Sequence, residues 1–164
     1  DGGDPYPPLA GSRNFFDEVV RALPLSGITV RSETAGLWVY ADPLMIRVFS
    51  NFIDNSLRHG GKISCISLSW EYSGEDLLLV YRDNGTGISW AEKEKIFIRG
   101  YGKHTGLGLF LIREIFSITG ISIREIGDPG TGVRFEMRIP RGGYRVLTTP
   151  ESPGTARNNR KIRD

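Results

Sequence analysis

The sequence predicts a single α+β domain, a two-layer α/β sandwich with a mixed, mostly antiparallel sheet and helices on one face. β-rich runs arrive in pairs separated by short turns, the pattern of antiparallel hairpins. Between those pairs lie segments with apolar residues at helical spacing. A chain of 164 residues that is 39% hydrophobic is long and apolar enough to form one core without disulfides.

The first half of the chain is predicted to alternate helices with short strands. Ser12 is placed to cap a first helix, and Asp42 followed by Pro43 is a strong start for a second. Gly60 and Gly61 are expected to end that second helix. The predicted elements are a helix over residues 12–23, strands over 28–31 and 37–41, and a helix over 43–59.

The second half is predicted to contain two hairpins around two further helices. Ser89 and Glu92 have the spacing of a capping box, and Gly120 is placed to close a longer helix. The turn of the last hairpin falls at Asp128-Pro-Gly130. The predicted elements are strands over 62–72 and 77–82, a short helix over 89–96, an irregular segment over 98–105, a helix over 107–119 and strands over 121–126 and 133–139.

Composition divides the chain into three parts. Residues 1–11 are rich in Gly and Pro and are expected to be a disordered linker, and residues 12–140 form the predicted domain. Residues 141–164 are polar, basic and interrupted by proline, and are expected to be a disordered tail. This tail has six basic and two acidic residues, so the rest of the chain, with 15 basic and 17 acidic residues, has a net charge of −2 and is close to neutral. A near-neutral body argues against nucleic acid as the main partner.

Cysteine and histidine are scarce, which excludes several classes of site. Cys65 is the only cysteine, so disulfide scaffolds and cysteine-based zinc sites are excluded, and a reducing compartment is favoured. His59 and His104 are too few for a histidine-rich metal site. No apolar run approaches the roughly 18–20 residues of a membrane span. We therefore expect a cytoplasmic domain without direct membrane contact, whose parent protein is compatible with a membrane anchor.

A polar stripe follows one side of the predicted helix over 43–59. Arg47, Asn51, Asn55 and Arg58 fall at helical spacing on one face. A solvated helix face is the ordinary explanation. Asparagine is nevertheless a mediocre helix former, while an amide oxygen suits Mg²⁺ and a guanidinium suits phosphate.

Two glycine-containing segments also admit a chemical interpretation. Asp83-Asn-Gly-Thr-Gly87-Ile88 directly follows a hydrophobic strand. It is either a tight turn or a carboxylate placed to accept from an exocyclic amine, with glycines that admit a flat ring. Gly100 to Gly108 is either a flexible loop or a run of N–H donors for phosphate at a helix start. It matches neither the P-loop nor the dinucleotide-binding fingerprint.

Taken in order, these segments resemble the nucleotide-binding boxes of sensor histidine kinases. Asn51 to His59 resembles the N box, and Asp83-x-Gly-x-Gly87 the first glycine box. Thr105 to Leu109 and Gly130 to Phe135 resemble the second and third glycine boxes, and Ile96-Phe97 the phenylalanine box. The resemblance covers residues 14–140. It implies the Bergerat ATP-binding fold, which type II topoisomerases, mismatch-repair ATPases and a heat-shock chaperone also have.

The resemblance implies a role for each matching residue. Asn55 would ligate Mg²⁺, Arg58 would contact phosphate, and Asn51 would stand where hydrolases of the superfamily carry a catalytic Glu. Asp83 would accept from the adenine amino group, and residues 98–105 would form a lid over ATP. The implied catalytic residues are Asn51, Asn55 and Arg58, and the implied nucleotide-binding residues are Asp83, Gly85, Gly87, Ile88, Lys103, Thr105, Gly106, Leu107, Gly108 and Val133.

Two positions depart from the family pattern. His104 stands where the second box usually opens with Gly, which lowers the expected flexibility of the lid. Val133 stands where the third box often has Thr, which removes a hydroxyl near the adenine.

The function implied is that of the ATP-binding catalytic domain of a two-component kinase. Such a domain positions Mg-ATP so that the γ-phosphate passes to a histidine on a separate helical dimerisation domain, and then to a response regulator receiver domain. Neither His59 nor His104 has the context of that acceptor, and helical geometry predicts that His59 points away from the polar stripe. The alternatives are an anti-sigma-factor-type serine/threonine kinase, an ATP hydrolase of the same fold, and a nucleotide-binding regulatory module without transfer activity.

Overall fold

The computed structural model describes residues 27–34, 37–39, 43–100 and 108–146. The helix predicted over residues 12–23 and the linker before it lie outside the described residues. The described elements are β1 (Thr29–Glu33), β2 (Leu37–Val39), α1 (Pro43–His59), β3 (Cys65–Ser73), β4 (Asp76–Asp83), a 3₁₀ turn (Lys95–Phe97), α2 (Leu109–Ile118), β5 (Ser122–Glu125), β6 (Arg134–Ile139) and β7 (Tyr144–Val146).

Five of the described strands form one mixed sheet in the order β1-β3-β4-β6-β5. β1 runs parallel to β3, and every other pairing in this sheet is antiparallel. The parallel pair needs a crossover, which the chain makes through β2 and α1. The predicted mixed, mostly antiparallel sheet is therefore confirmed. β4 occupies the centre of the sheet and ends at Asp83.

The core lies between the sheet and the two described helices. The ring of Phe52 on α1 stacks on Phe135 of β6, with 4.2 Å between ring centroids, and lies 5.3 Å from the ring of Tyr81 on β4. Ile112 and Phe116 of α2 are buried in the same cluster. Alternate strand residues face this layer, as period-two burial requires. Core packing thereby sets the rotation of α1, and with it the direction of the opposite, polar side of that helix.

The predicted disordered tail is corrected at its beginning. β7, within the predicted 141–164 tail, pairs antiparallel with β2. The Tyr144 hydroxyl donates to the carbonyl oxygen of Glu75 at 2.7 Å, and Tyr144 and Val146 pack against the core. A strand of three residues is too short for a readable alternation, and its partner is about a hundred residues away in sequence, so local patterning could not reveal it.

The segment after the β4 loop is less helical than predicted. Residues 90–94 form turns and only Lys95–Phe97 form a 3₁₀ helix, so the short α-helix predicted over 89–96 is wrong. The backbone N–H of Glu92 does bond to the carbonyl of Ser89 at 2.9 Å, so the capping-box residues form a turn instead. α2 begins at Leu109, with Gly108 in the N-cap position.

A buried ion pair holds this turn segment against the sheet. The Lys93 ammonium pairs with Glu125 at the end of β5 and also donates to the carbonyl of Gly127 at 2.6 Å. The other oxygen of Glu125 accepts the backbone N–H groups of Gly127 and Arg134, at 2.8 and 2.9 Å. The Glu125 side chain has no solvent exposure and that of Lys93 is 9% exposed. Removing either side chain would therefore leave the other charge buried without its ion-pair partner.

Replacing Lys93 by methionine is expected to lower the free energy of unfolding by about 3–5 kcal/mol, because it leaves the Glu125 carboxylate buried without its cation. Urea denaturation of the wild type and the variant measures the change. Arg141→Met is the matched control, because the Arg141–Glu75 pair is 76% exposed on both sides and should change the stability by no more than about 0.5 kcal/mol. Equal effects of the two substitutions would contradict the clamping role of Lys93.

Candidate functional site

A cavity of about 320 Å³ opens between the last turns of α1, the loop that follows β4 and the start of α2. It combines polar side chains from α1 with a carboxylate, a glycine and apolar side chains from the other elements. Its lining residues are Asn51, Asp54, Asn55, Arg58, His59, Gly60, Asp83, Gly87, Ile88, Glu92, Ile96, Leu109 and Val133.

Asp83 presents a buried carboxylate to this cavity. Its side chain is held by three donors and the residue is only 7% exposed. Oδ1 accepts the backbone N–H groups of Gly85 and Val133, each at 3.0 Å, and Oδ2 accepts the hydroxyl of Ser56 at 2.6 Å. A carboxylate has about four acceptor positions, so Oδ2 retains acceptor capacity for a ligand.

Glycines around Asp83 allow backbone segments to approach each other. A Cβ on Gly132, which has φ of +118°, would collide with the carbonyl oxygen of Asp83. A Cβ on Gly85 would collide with the carbonyl oxygen of Gly60 at the end of α1. Gly85 therefore serves the contact between the loop and the helix and does not line the cavity, although the sequence placed it among the ligand-binding residues.

Hydrogen bonds anchor the loop after β4 on both sides. The backbone N–H of Thr86 bonds to the carbonyl of Gly60 at 3.0 Å, and the N–H of Gly130 bonds to the carbonyl of Thr86 at 2.7 Å. Asn84 uses its side-chain oxygen to accept the N–H groups of Ser64 and Cys65. These hydrogen bonds hold the loop after β4 in place between the end of α1 and the turn at Gly130.

The polar stripe on α1 forms one wall of the cavity. Asn51, Asn55 and Arg58 all line it, as their spacing predicted. Asn51 is 9% exposed and donates its side-chain N–H to the carbonyl of Arg47 at 3.0 Å. Arg47 itself, the first residue of the stripe, is not among the lining residues.

Asp54 is a lining residue that sequence reasoning missed. Its carboxylate accepts from Nε of Arg58 at 2.9 and 3.0 Å in an i, i+4 pair. The two side chains are 33% and 49% exposed, so the pair contributes little to stability. The signal that could have revealed Asp54 is its place in the sequence, between the predicted site residues Asn51 and Asn55.

The remaining predicted residues divide into three groups. Gly87, Ile88 and Val133 line the cavity. Gly108 caps α2 outside the cavity lining. Lys103 and Thr105 of the predicted lid, and Gly106 and Leu107 of the second glycine box, lie outside the described residues.

His59, which was predicted to point away from the polar stripe, belongs to the same cavity lining as Arg58. The helix ends there, and the carbonyl of His59 accepts the Thr86 hydroxyl at 3.2 Å. A helical wheel describes only the residues of the helix, so it cannot predict this contact between the end of α1 and the loop after β4.

The cavity has two chemically different ends. The Asp83 end offers a carboxylate acceptor among Gly87, Ile88 and Val133, which suits a flat ring bearing an amine. The α1 end offers amides and a guanidinium, which suit an anion. Within the described ranges, no group of three or more His, Cys, Asp or Glu side chains is placed to hold a metal ion.

Comparison with known families agrees with this geometry. Residues 41–143 match the family described as histidine kinase-, DNA gyrase B- and HSP90-like ATPases. The chain belongs to this family. The match runs from the start of α1 to the residue before β7, so it includes every described residue of the cavity. The family is the one whose boxes the sequence resembles, and the predicted fold is confirmed.

Similar proteins are sensor kinases. The chain is 34% identical over 99 residues to the alginate biosynthesis sensor protein KinB of Pseudomonas aeruginosa, a match to 57% of this chain and 17% of KinB. It therefore spans about a fifth or less of the length of such relatives. The mycobacterial sensor histidine kinase MprB superimposes with a TM-score of 0.70 at 19% identity, covering 86% of this chain and all of that one.

Full-length ShkA in complex with AMPPNP also superimposes with a TM-score of 0.70, at 18% identity, covering 88% of this chain and 32% of ShkA. At such identities, the structural matches establish the fold of this ATPase-family domain and nothing finer. Neither α1 nor α2, nor any other helix in the described part, has the length and apolar character needed to cross a bilayer.

Replacing Gly132 by alanine is expected to separate β6 from the end of β4 and to weaken the Val133 N–H bond to Asp83, because the added Cβ meets the Asp83 carbonyl. Gly130→Ala is the matched control, since Gly130 has φ of +90° with nothing near the added Cβ. Gly130→Ala should lower the free energy of unfolding by about 1–2 kcal/mol, from backbone strain alone. Gly132→Ala should cost about 1–3 kcal/mol more in urea denaturation. Equal losses of stability in the two variants would mean that the close approach of Gly132 to the Asp83 carbonyl does not contribute to the stability.

Proposed function

We propose that this chain is the ATP-binding catalytic domain of a sensor histidine kinase, which positions Mg-ATP for transfer of the γ-phosphate to a histidine on a separate helical domain. The observation that carries the proposal is the buried Asp83 carboxylate in a cavity whose wall is the Asn51, Asn55 and Arg58 face of α1. Family membership and the sensor kinases KinB and MprB among the similar proteins support it.

Adenine is the base that best complements the Asp83 end of the cavity. Oδ2 of Asp83 accepts the adenine 6-amino group, while Gly87, Ile88 and Val133 pack beside the ring. Guanine has an oxygen acceptor in place of that amine, so the carboxylate disfavours it. AMPPNP, an ATP analogue bound by ShkA, is consistent with an adenine nucleotide in this fold.

The triphosphate extends from there toward α1. Arg58 contacts phosphate, and Asn55 supplies an amide oxygen to Mg²⁺. Asn55 is half-buried in the cavity wall, and its amide oxygen is a hard atom that suits a Mg²⁺ ion taking its other ligands from phosphates and water. Bound Mg²⁺ supplies charge neutralisation for phosphoryl transfer. Lys103 and Thr105 belong to the proposed lid, and Gly106, Leu107 and Gly108 are the proposed nucleotide-binding residues that follow it.

Asn51 favours transfer to a partner over hydrolysis. A carboxamide cannot act as a general base for water, and its side-chain N–H already bonds to the carbonyl of Arg47. The phosphoryl acceptor is therefore a histidine of the dimerisation domain, and the phosphoryl group then passes to a response regulator receiver domain. The relatives are named as sensor proteins, which favours a sensor histidine kinase over an anti-sigma-factor-type serine/threonine kinase or a nucleotide-binding regulatory module without transfer activity.

Replacing Asp83 by asparagine is expected to weaken ATP binding by roughly 10–100-fold, the effect of one hydrogen bond to a charged group. The two backbone N–H groups at Oδ1 hold the amide oxygen, so the new NH₂ group takes the Oδ2 position and faces the adenine amine donor to donor. Calorimetric titration with ATP and with GTP measures both affinities.

Asp76→Asn is the matched control for this experiment, because it changes a half-buried carboxylate at the opposite end of the same strand. It should leave the affinity for ATP unchanged. Wild-type protein that binds ATP and GTP equally well would contradict the adenine assignment.

Replacing Asn55 by alanine is expected to reduce phosphoryl transfer roughly 100-fold, the usual effect of losing one electrostatic stabiliser, while adenine contacts preserve much of the ATP affinity. The measurement uses γ-labelled ATP, the chain, and the helical-hairpin domain of its parent protein. Arg47→Ala, on the same helix face but outside the cavity, is the control.

The chain alone should bind ATP and incorporate no label, because the acceptor comes from the helical domain. Acid-labile, base-stable label on the isolated chain that disappears in His59→Ala or His104→Ala would contradict the donor-only role. For the Asn55→Ala variant, phosphoryl transfer at the wild-type rate would contradict the proposal that Asn55 is a ligand of Mg²⁺.

A further inference from the structure

We propose that Ser56 and Tyr81 are positioning residues that orient the Asp83 carboxylate toward the 6-amino group of adenine. This inference rests on the proposed nucleotide site and assigns to it a hydrogen-bonded relay from the core. The relay consists of the Tyr81 hydroxyl, the Ser56 hydroxyl and Oδ2 of Asp83. It joins β4 to α1 directly beneath the cavity.

The relay has a defined direction. The Ser56 hydroxyl lies 2.6 Å from Oδ2 of Asp83 and 2.7 Å from the Tyr81 hydroxyl oxygen. Serine has a single hydroxyl proton, and a carboxylate only accepts. Ser56 therefore donates to Asp83, and Tyr81 must donate to Ser56.

Tyr81 is held as a permanent donor. Burial raises the pKa of its hydroxyl far above the ordinary value, and the charge of Asp83 adds to this while the hydrogen bond with Ser56 opposes it. Its ring is fixed in the core beside Phe52 and Phe135. The hydroxyl group is consequently anchored by core packing and not by solvent.

The relay decides which acceptor position of Asp83 remains for a ligand. Two backbone N–H groups bond to Oδ1, which fixes one oxygen but leaves the carboxylate plane to be set by what Oδ2 accepts. Ser56 is the described donor to Oδ2 and sets that plane. Acceptor capacity of Oδ2 beyond this bond is left for the adenine amine.

Ser56 is otherwise an unexpected residue at its position. It is 1% exposed and lies one turn after Phe52 on the core-facing side of α1. A buried hydroxyl is costly unless it is bonded. Both bonds that satisfy it lead to the site through Tyr81 and Asp83, which connects the hydroxyl to ligand recognition.

The test compares two ligands that differ only in the 6-amino group, ATP and purine riboside triphosphate, in the presence of Mg²⁺. Ser56→Ala and Tyr81→Phe should each weaken ATP binding by about 5–10-fold, the size of one net hydrogen bond, and purine riboside triphosphate by less than about twofold. Ser56→Thr retains the hydroxyl and should restore the preference for ATP. Ser50→Ala, which removes a hydroxyl bonded to a helix carbonyl on the same helix, should affect neither ligand.

Each outcome bears on the inference. A loss confined to ATP supports it, because a general structural defect would weaken both ligands alike. Equal losses for the two ligands, or no loss, overturn it while leaving the proposed function intact. Wild-type protein that binds neither ligand overturns the proposed function and this inference together. Tyr81→Phe removes a single oxygen atom and preserves the core ring, so it provides the comparison even if Ser56→Ala does not fold.

Discussion

The contacts of the Asp83 carboxylate are the interaction on which the rest of the structure depends. One oxygen joins the loop after β4 to the start of β6 through the N–H groups of Gly85 and Val133, and the other joins β4 to α1 through Ser56. A buried charge is tolerated only where hydrogen bonds replace its lost hydration. The same donors that make burial possible also orient the carboxylate, so the group proposed to recognise the nucleotide is part of the framework of the fold.

A second buried charge anchors another segment of the cavity wall. Glu125 accepts the N–H groups of Gly127 and Arg134, as Asp83 accepts those of Gly85 and Val133, and it adds the ammonium of Lys93. The Lys93 segment contributes Ile88, Glu92 and Ile96 to the cavity wall. Both carboxylates thus accept backbone N–H groups from the turn before β6 and from the start of that strand, so each fixes the path of the chain beside the cavity.

Local signals predicted the elements that have local causes, and missed contacts between distant residues. Pro43 and Gly60 mark the ends of a helix through their own backbone preferences, and α1, β3 and β4 lie close to the predicted ranges. Ser56 with Asp83, Lys93 with Glu125, and β2 with β7 join residues separated by 27 positions or more. No periodicity records such partners. Gly85, a glycine of the motif, lies outside the cavity lining and allows the loop after β4 to approach the end of α1.

The rotation of α1 connects core packing to the chemistry of the cavity. Phe49, Phe52 and Ile53 are buried on one side of this helix, and the polar stripe follows from them at 100° per residue. Phe52 stacks on Phe135, two residues from the Val133 N–H that holds Asp83. The phosphate-binding and adenine-binding ends proposed for the cavity are therefore positioned by one packed cluster. A core substitution that rotates α1 displaces Asn55 and Arg58 relative to Asp83 without touching any of them.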